Sequence, residues 1–233
     1  MSKAVYSIGL GPGDHELVTL KGIKCLERSD VVIVPQSNSL GRSVAKDIIL
    51  NFIDESKILM YFFPMTNDKD DLKKRYTELA EKIKGLIDAG NSVSYVTIGD
   101  PTVFSTSNYI TEKLIDINID VTHIPGISTA SAVSAKIGAP ACVKGEHFGV
   151  YEMPAEVEQA VALIDRHPTT YFLKVHKRLR VLIDAVEKAS PKSAHLASRV
   201  GLEGETLHDL LQSAPEGEKA YLSIAVVKRG AIN

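Results

Sequence analysis

Three short stretches hold the residue types from which a ligand site can be built. They are Gly9-Leu-Gly11-Pro12-Gly13-Asp14, Gly99-Asp100-Pro101-Thr102 and Pro125-Gly126-Ile127-Ser128. Each follows an apolar run that reads as a strand. Taken singly, each is also an ordinary turn sequence. Taken together, they put glycine at three strand ends, where a ligand can touch the backbone directly. Asp100 adds one anion. That combination suits a ligand bearing positive charge and hydrogen-bonding edges. It does not suit a polyphosphate, which is held by helix N-termini and lysines.

The first stretch resembles the opening of a dinucleotide-binding fingerprint but departs from it. The third glycine of G-x-G-x-x-G falls on Asp14, and Pro12 removes an N–H from a loop that would need donors. The acid that holds a ribose is missing after the second strand, where Val34 leads to Pro35. An NAD enzyme is therefore disfavoured. Walker A, HExxH and GxSxG patterns are also missing from the sequence.

The elements that must position these loops follow from periodicity. Strands are predicted at Val5–Leu10, Val31–Val34, Ile58–Phe63, Val93–Ile98 and Asp120–Ile124. Helices are predicted between them at Glu16–Arg28, Ser43–Phe52, Asp71–Ala89 and Phe104–Leu114. Val31-Val-Ile-Val34 is apolar without alternation, which points to burial on both faces, as in a parallel sheet. Beyond it come a helix at Ser128–Ile137, a strand at Phe148–Tyr151 and a helix at Ala155–Asp165. They are followed by a strand at Thr169–Val175, a helix at Leu179–Ala189 and a strand at Ala194–Val200. A helix at Glu205–Ser213 and a strand at Ala220–Val227 complete the chain. The fold class is α/β, with two α/β domains expected at 1–124 and 125–233. In a parallel sheet the three glycine loops share one edge, where such sheets keep their ligands.

The chain of 233 residues carries a formal net charge of −2, with 44% hydrophobic and 24% charged residues. That balance describes an ordinary globular protein with a sizeable core, and it argues against a general nucleic-acid binder. Cys25 and Cys142 are the only cysteines and form no metal-ligand spacing. Reduced thiols and the cytoplasm are expected. No apolar run reaches the roughly 18 residues of a membrane span, and the N-terminus is too quickly polar for a signal peptide.

The runs YSIGLGPGDHELVTLKG, YVTIGDPTVFST and PGISTASA, in that order, resemble the tetrapyrrole methylases, and the likeness extends over essentially the whole chain. SLGRSVA (Ser39–Ala45), FFPMTND (Phe62–Asp68) and FLKVHKRL (Phe172–Leu179) look most like the branch that methylates C-20 of precorrin-2 or its cobalt form. The resemblance implies a homodimer of two-domain α/β subunits with S-adenosylmethionine in the cleft between the domains. It implies donor contacts from Pro12, Gly99, Asp100, Thr102, Val103, Ser128 and Thr129, with Met153 and Leu173 towards the adenine. The stretch Ser198–Glu205 matches the family's late loop.

The chemistry so implied needs few catalytic groups. The sulfonium methyl is already activated, and the meso carbon is electron-rich, so the enzyme mainly aligns the reactants. Alignment can contribute roughly 7–11 kcal/mol. One proton must leave C-20; Asp100 is the candidate base by position, and water is its rival. The polycarboxylate macrocycle requires a local basic patch in a chain of charge −2. Arg42, Lys174, His176 and Arg199 are the candidates, with the run Lys174–Arg180 also readable as a solvated helix face. No protein-bound metal is expected; any cobalt arrives in the tetrapyrrole. A sister methylase acting at another ring carbon and a non-catalytic nucleotide-binding module are the alternatives.

Overall fold

Val5–Gly9 (β1), Val31–Gln36 (β2) and Val93–Thr97 (β4) have apolar side chains to bury on both faces, and they become inner strands of a five-stranded sheet. Ile58–Phe62 (β3) and Val121–Ile124 (β5) close its edges, in the order β3-β2-β4-β1-β5, and every pairing is parallel. The computed structural model describes residues 5–36, 43–63, 68–213 and 222–230. It separates into two units, Met1–Ser128 and Thr129–Asn233. The boundary expected after residue 124 falls a little earlier. Pro125–Ser128 stays with the first unit because Gly126 is bonded within it.

Strand alternation sorts the first unit's core into two layers. Ile8, Val32, Val34 and Val96 pack on one face with Leu26 of α1 (Leu20–Arg28) and with Ile48 and Ile49 of α2 (Val44–Ile49). Val5, Ile33, Val93 and Tyr95 pack on the other. There they meet Leu79 and Ile83 of α3 (Lys69–Asp88) and Ile110 and Leu114 of α4 (Ser107–Asp116). Thr19, Ser43 and Asp68 cap α1, α2 and α3 by accepting from first-turn N–H groups. The sheet is doubly wound. The connection from β1 leads past β4 to β2, and that from β4 leads past β1 to β5. The two chains leave adjacent strands in opposite directions, which opens a crevice at their carboxyl ends.

Two boundaries in this unit differ from the sequence expectation. Pro35 lies inside β2 rather than stopping it, because β4 is paired with β2 only as far as Ile33 and Pro35 continues against β3 alone. The helix expected from Phe104 begins at Ser107, since Phe104 has a positive φ of 48°.

The second unit opens with α5 (Thr129–Lys136). It continues through β6 (Phe148–Glu152), α6 (Val157–Arg166), β7 (Thr169–Leu173) and α7 (Leu179–Ala189). It ends with β8 (Ser193–Ser198), β9 (Thr206–Asp209) and β10 (Ser223–Lys228). The mixed sheet runs β6-β7-β10-β8-β9, with β6–β7 parallel and the other pairs antiparallel. Ala160, Ile164, Leu182 and Ala185 of α6 and α7 cover one face. Val133 of α5 packs with Tyr171, Ala197 and Val226 on the other.

The helix expected at Glu205–Ser213 is instead β9. Leu207, Leu210 and Leu211 have helical spacing, but Leu207 and Leu211 are exposed and only Leu210 packs against the core. Arg199, Gly201 and Gly204 all have positive φ and turn the chain back, so that β9 pairs with β8.

Candidate functional site

The three glycine loops leave β4, β1 and β5, which are neighbours in the sheet. They are joined by backbone contact. Leu10 N–H donates to the Thr97 carbonyl at 2.9 Å, Gly11 N–H to the Gly99 carbonyl at 3.2 Å, and Gly99 N–H to the Gly11 carbonyl at 2.7 Å. Gly126 lies across both. A Cβ there would sit 2.2 Å from the Gly99 carbonyl oxygen and 2.8 Å from the Gly9 carbonyl carbon. Backbone atoms cannot yield at such distances, so this junction excludes any side chain.

Asp100 locks the junction. One carboxylate oxygen accepts from the Gly126 N–H at 3.0 Å. The other accepts from the Thr102 N–H at 2.8 Å and from the Thr102 hydroxyl. The acid therefore ties the loop after β4 to the loop after β5 and folds its own turn. Behind it runs a buried line of hydroxyls. Thr97 Oγ1 and Ser105 Oγ are 3.0 Å apart, Ser105 Oγ and Ser107 Oγ are 2.9 Å apart, and Ser107 Oγ donates to the Pro101 carbonyl at 2.9 Å. The segment 101–107 is thus fixed at both ends.

On this edge Pro12 and Gly99 are buried, Asp100 and Ser128 are half-buried, and Thr102 and Val103 are exposed. The loops 9–14, 99–103 and 125–128 contain no lysine or arginine. An edge of close-packed backbone whose loops carry two carboxylates, Asp14 and Asp100, and no lysine or arginine suits a positively charged ligand and does not suit a polyphosphate.

The second unit assembles an edge of its own. β7 and β8 flank β10 and run antiparallel to it, with Leu173 beside Ile224 and Ser198 beside Ser223. Lys174 and Arg199 follow these strand ends, so both cations lie on one edge, and both have φ of 57°. Met153 follows β6 at the same edge and is buried; Leu173 is half-buried. Lys174 pairs with Glu152, and the Arg178 guanidinium donates to the Met153 carbonyl. Arg199 Nε donates to the Glu203 carbonyl at 2.7 Å. His176 is half-buried in the turn Val175–Lys177. Thr129 opens α5. Arg42 lies outside the described residues.

Glu205 shapes the late loop. It accepts from the Gly201 N–H at 2.9 Å and pairs with Lys136 of α5 at 2.8 Å. The Lys136 hydrogen bond, and then the Gly201 N–H, hold its carboxyl below the usual carboxylate range. Among the described residues no group of three or more His, Cys, Asp or Glu could hold a metal ion, and no helix is long and apolar enough to cross a membrane.

Three features of this geometry are missing from the sequence reading. The steric exclusion at Gly9 and Gly126 needs the strand order. The hydroxyl line of Thr97, Ser105 and Ser107 has a faint signal in three small polar residues beside an apolar strand. The clamp from Arg178 to Met153 has none, because its partner is a main-chain oxygen.

A model of the family Tetrapyrrole (Corrin/Porphyrin) Methylases matches residues 4–214. The chain belongs to the tetrapyrrole methylase family. Among individual members, this methylase is 30% identical over 229 residues to a probable cobalt-precorrin-2 C(20)-methyltransferase of Methanocaldococcus jannaschii, covering 97% of this chain and 96% of that one. The X-ray structure of a cobalt precorrin-4 methyltransferase of cobalamin biosynthesis shares the methylase fold. Its TM-score is 0.76 at 18% identity, over 97% of this chain and 94% of the other. A uroporphyrin-III C-methyltransferase from Thermus thermophilus, solved with S-adenosylhomocysteine, gives a TM-score of 0.68 at 20% identity, covering 97% of each chain.

Two outcomes follow for the methylase. Asp100→Ala removes a charged acceptor shared by three donors and should cost about 2–4 kcal/mol in denaturant unfolding. Asp100→Asn, which keeps one acceptor oxygen, should lose less. Glu205→Gln should melt below wild type at neutral pH. Because the folded carboxyl is held below its unfolded value, its stabilisation is present above the unfolded pKa and is lost as pH falls through the folded one. The difference in melting temperature should therefore close as the pH falls below the unfolded glutamate value of about 4.3.

Proposed function

We propose that this protein is an S-adenosylmethionine-dependent C-methyltransferase that adds a methyl group to C-20 of precorrin-2 or its cobalt form in cobalamin biosynthesis. The observation that carries the reading is the cation-free junction of three loops at adjacent strand ends, closed on itself by Asp100. The choice of ring carbon is supported by the match to the C(20)-methyltransferase over nearly the full length of both chains.

In this reading Pro12, Gly99, Asp100, Thr102, Val103, Ser128 and Thr129 hold the donor, with Met153 and Leu173 beside its adenine. The donor supplies an electrophilic methyl on a positively charged sulfur. The main-chain groups of the junction orient it without adding opposing charge, and the Asp100 carboxylate favours the cation through space. Asp100 already accepts three hydrogen bonds, which suits orientation; its Oδ2 accepts only one of them and keeps a lone pair that could take the C-20 proton, with water as the rival base. Lys174, His176 and Arg199, joined by Arg42, would meet the carboxylates of the macrocycle. Lys174 and Arg199 are held in left-handed conformations that fix where their side chains start. Cobalt, where present, is carried in by the substrate. A cytoplasmic homodimer completes the proposal.

The test is a methylation assay on metal-free and cobalt-loaded dipyrrocorphin-type substrates, with the new methyl located by NMR. A single methyl at C-20 is the expected product. A methyl at another ring carbon would reassign the protein to a sister activity. No transfer, with saturable binding of NAD in place of S-adenosylmethionine in calorimetry, would overturn the proposal.

A further inference from the structure

We propose that Phe104 is a specificity-determining residue that lays its ring against the face of the conjugated macrocycle. This inference rests on the proposed function and deepens it. Phe104 stands a few residues beyond Asp100, on the loop that leaves β4 at the carboxyl edge of the first unit's sheet. Its φ is 48°. Bulky side chains rarely adopt that conformation, and it is kept only where the surroundings enforce it. Its ring is nonetheless 47% exposed and belongs to none of the four apolar clusters of the core. The strain and the exposure both work against the folded chain, and a glycine would fit the backbone better.

What the loop gains is a fixed point of attachment for the ring. On one side the turn is closed by Asp100, whose side chain binds Thr102 and whose carbonyl accepts from the Val103 N–H at 3.3 Å. On the other side Ser105 and Ser107 are buried and bonded back to Thr97 and Pro101. A ring held in this way loses little freedom when something settles on it. A phenyl ring has no donor or acceptor, so its partner must be flat and apolar. Of the two reactants, the donor is polar and is served by main-chain groups, and the carboxylates of the macrocycle are served by cations. The conjugated face of the macrocycle is the part that needs an apolar platform.

The experiment compares wild type with Phe104→Ala, Phe104→Gly, Phe104→Leu and Phe104→Tyr. It measures KM and kcat for the tetrapyrrole at saturating donor, calorimetric affinity for S-adenosylhomocysteine, and melting temperature. Phe104→Ala should raise the tetrapyrrole KM by about tenfold or more, while donor affinity stays within about twofold. Phe104→Gly should show the same KM loss with a melting temperature equal to or above that of Phe104→Ala, since glycine relieves the left-handed strain. Phe104→Tyr should restore KM and Phe104→Leu should not. An unchanged KM in Phe104→Ala, a parallel loss of donor affinity, or full restoration by leucine would each overturn the inference while leaving the methyltransferase reading intact. A wild-type protein that neither binds nor methylates a tetrapyrrole would overturn both.

Discussion

Direct contact between main chains, with no side chain intervening, is the constraint on which the first unit depends. The backbones of Gly9, Gly99 and Gly126 approach so closely that a methyl group at Gly126 would lie 2.2 Å from a carbonyl oxygen. Contact of this kind brings three chain segments together at the carboxyl ends of β4, β1 and β5. It also concentrates peptide dipoles there. A carboxylate then becomes useful twice over, because Asp100 satisfies the Gly126 N–H and sets the local charge. The proposed donor site and the mechanical closure of the sheet thus use the same atoms.

The second unit solves a different problem with a different sheet. Its strands are mostly antiparallel, so chain ends from β7 and β8 emerge together beside the start of β10. That arrangement gathers cations separated by two dozen residues of sequence, Lys174 and Arg199, on one edge. Each is anchored by neighbours: Glu152 in one case, the Glu203 carbonyl in the other. The loop carrying Arg199 is in turn pinned to α5 through Glu205 and Lys136.

Much of this was legible from residue patterns. The unalternating apolar run Val31–Val34 points to an inner parallel strand, as β2 is, and the glycine turns read after β1, β4 and β5 belong to strands that lie side by side in the sheet. Leu179–Ala189 was placed to the residue because its apolar face repeats cleanly. Two of the misread elements share one cause, which is that local pattern was overruled by pairing with another strand; the third, at Phe104, is overruled by its own near neighbours. The leucines near residue 210 mimic a helix, yet the edge of β8 recruits the segment as a strand. Pro35 signals a strand end, yet β3 continues the pairing after β4 has parted. Phe104 favours helix, yet hydroxyls on either side hold it out of one. At the candidate site, Asp100 could be singled out from the sequence, whereas its bond to the Gly126 N–H could not.

The position of β1 carries a consequence for how the protein is made. Among the described strands of its sheet it comes first in the chain, yet the neighbours it pairs with are β4 and β5, the last two. Contacts so far apart in sequence form slowly. Until the ribosome has passed residue 97, β1 has both edges open, and until it has passed residue 126 Gly9 lacks Gly126 to close against. The strand is thus secured late within its sheet, and a chaperone would have a long time to hold it.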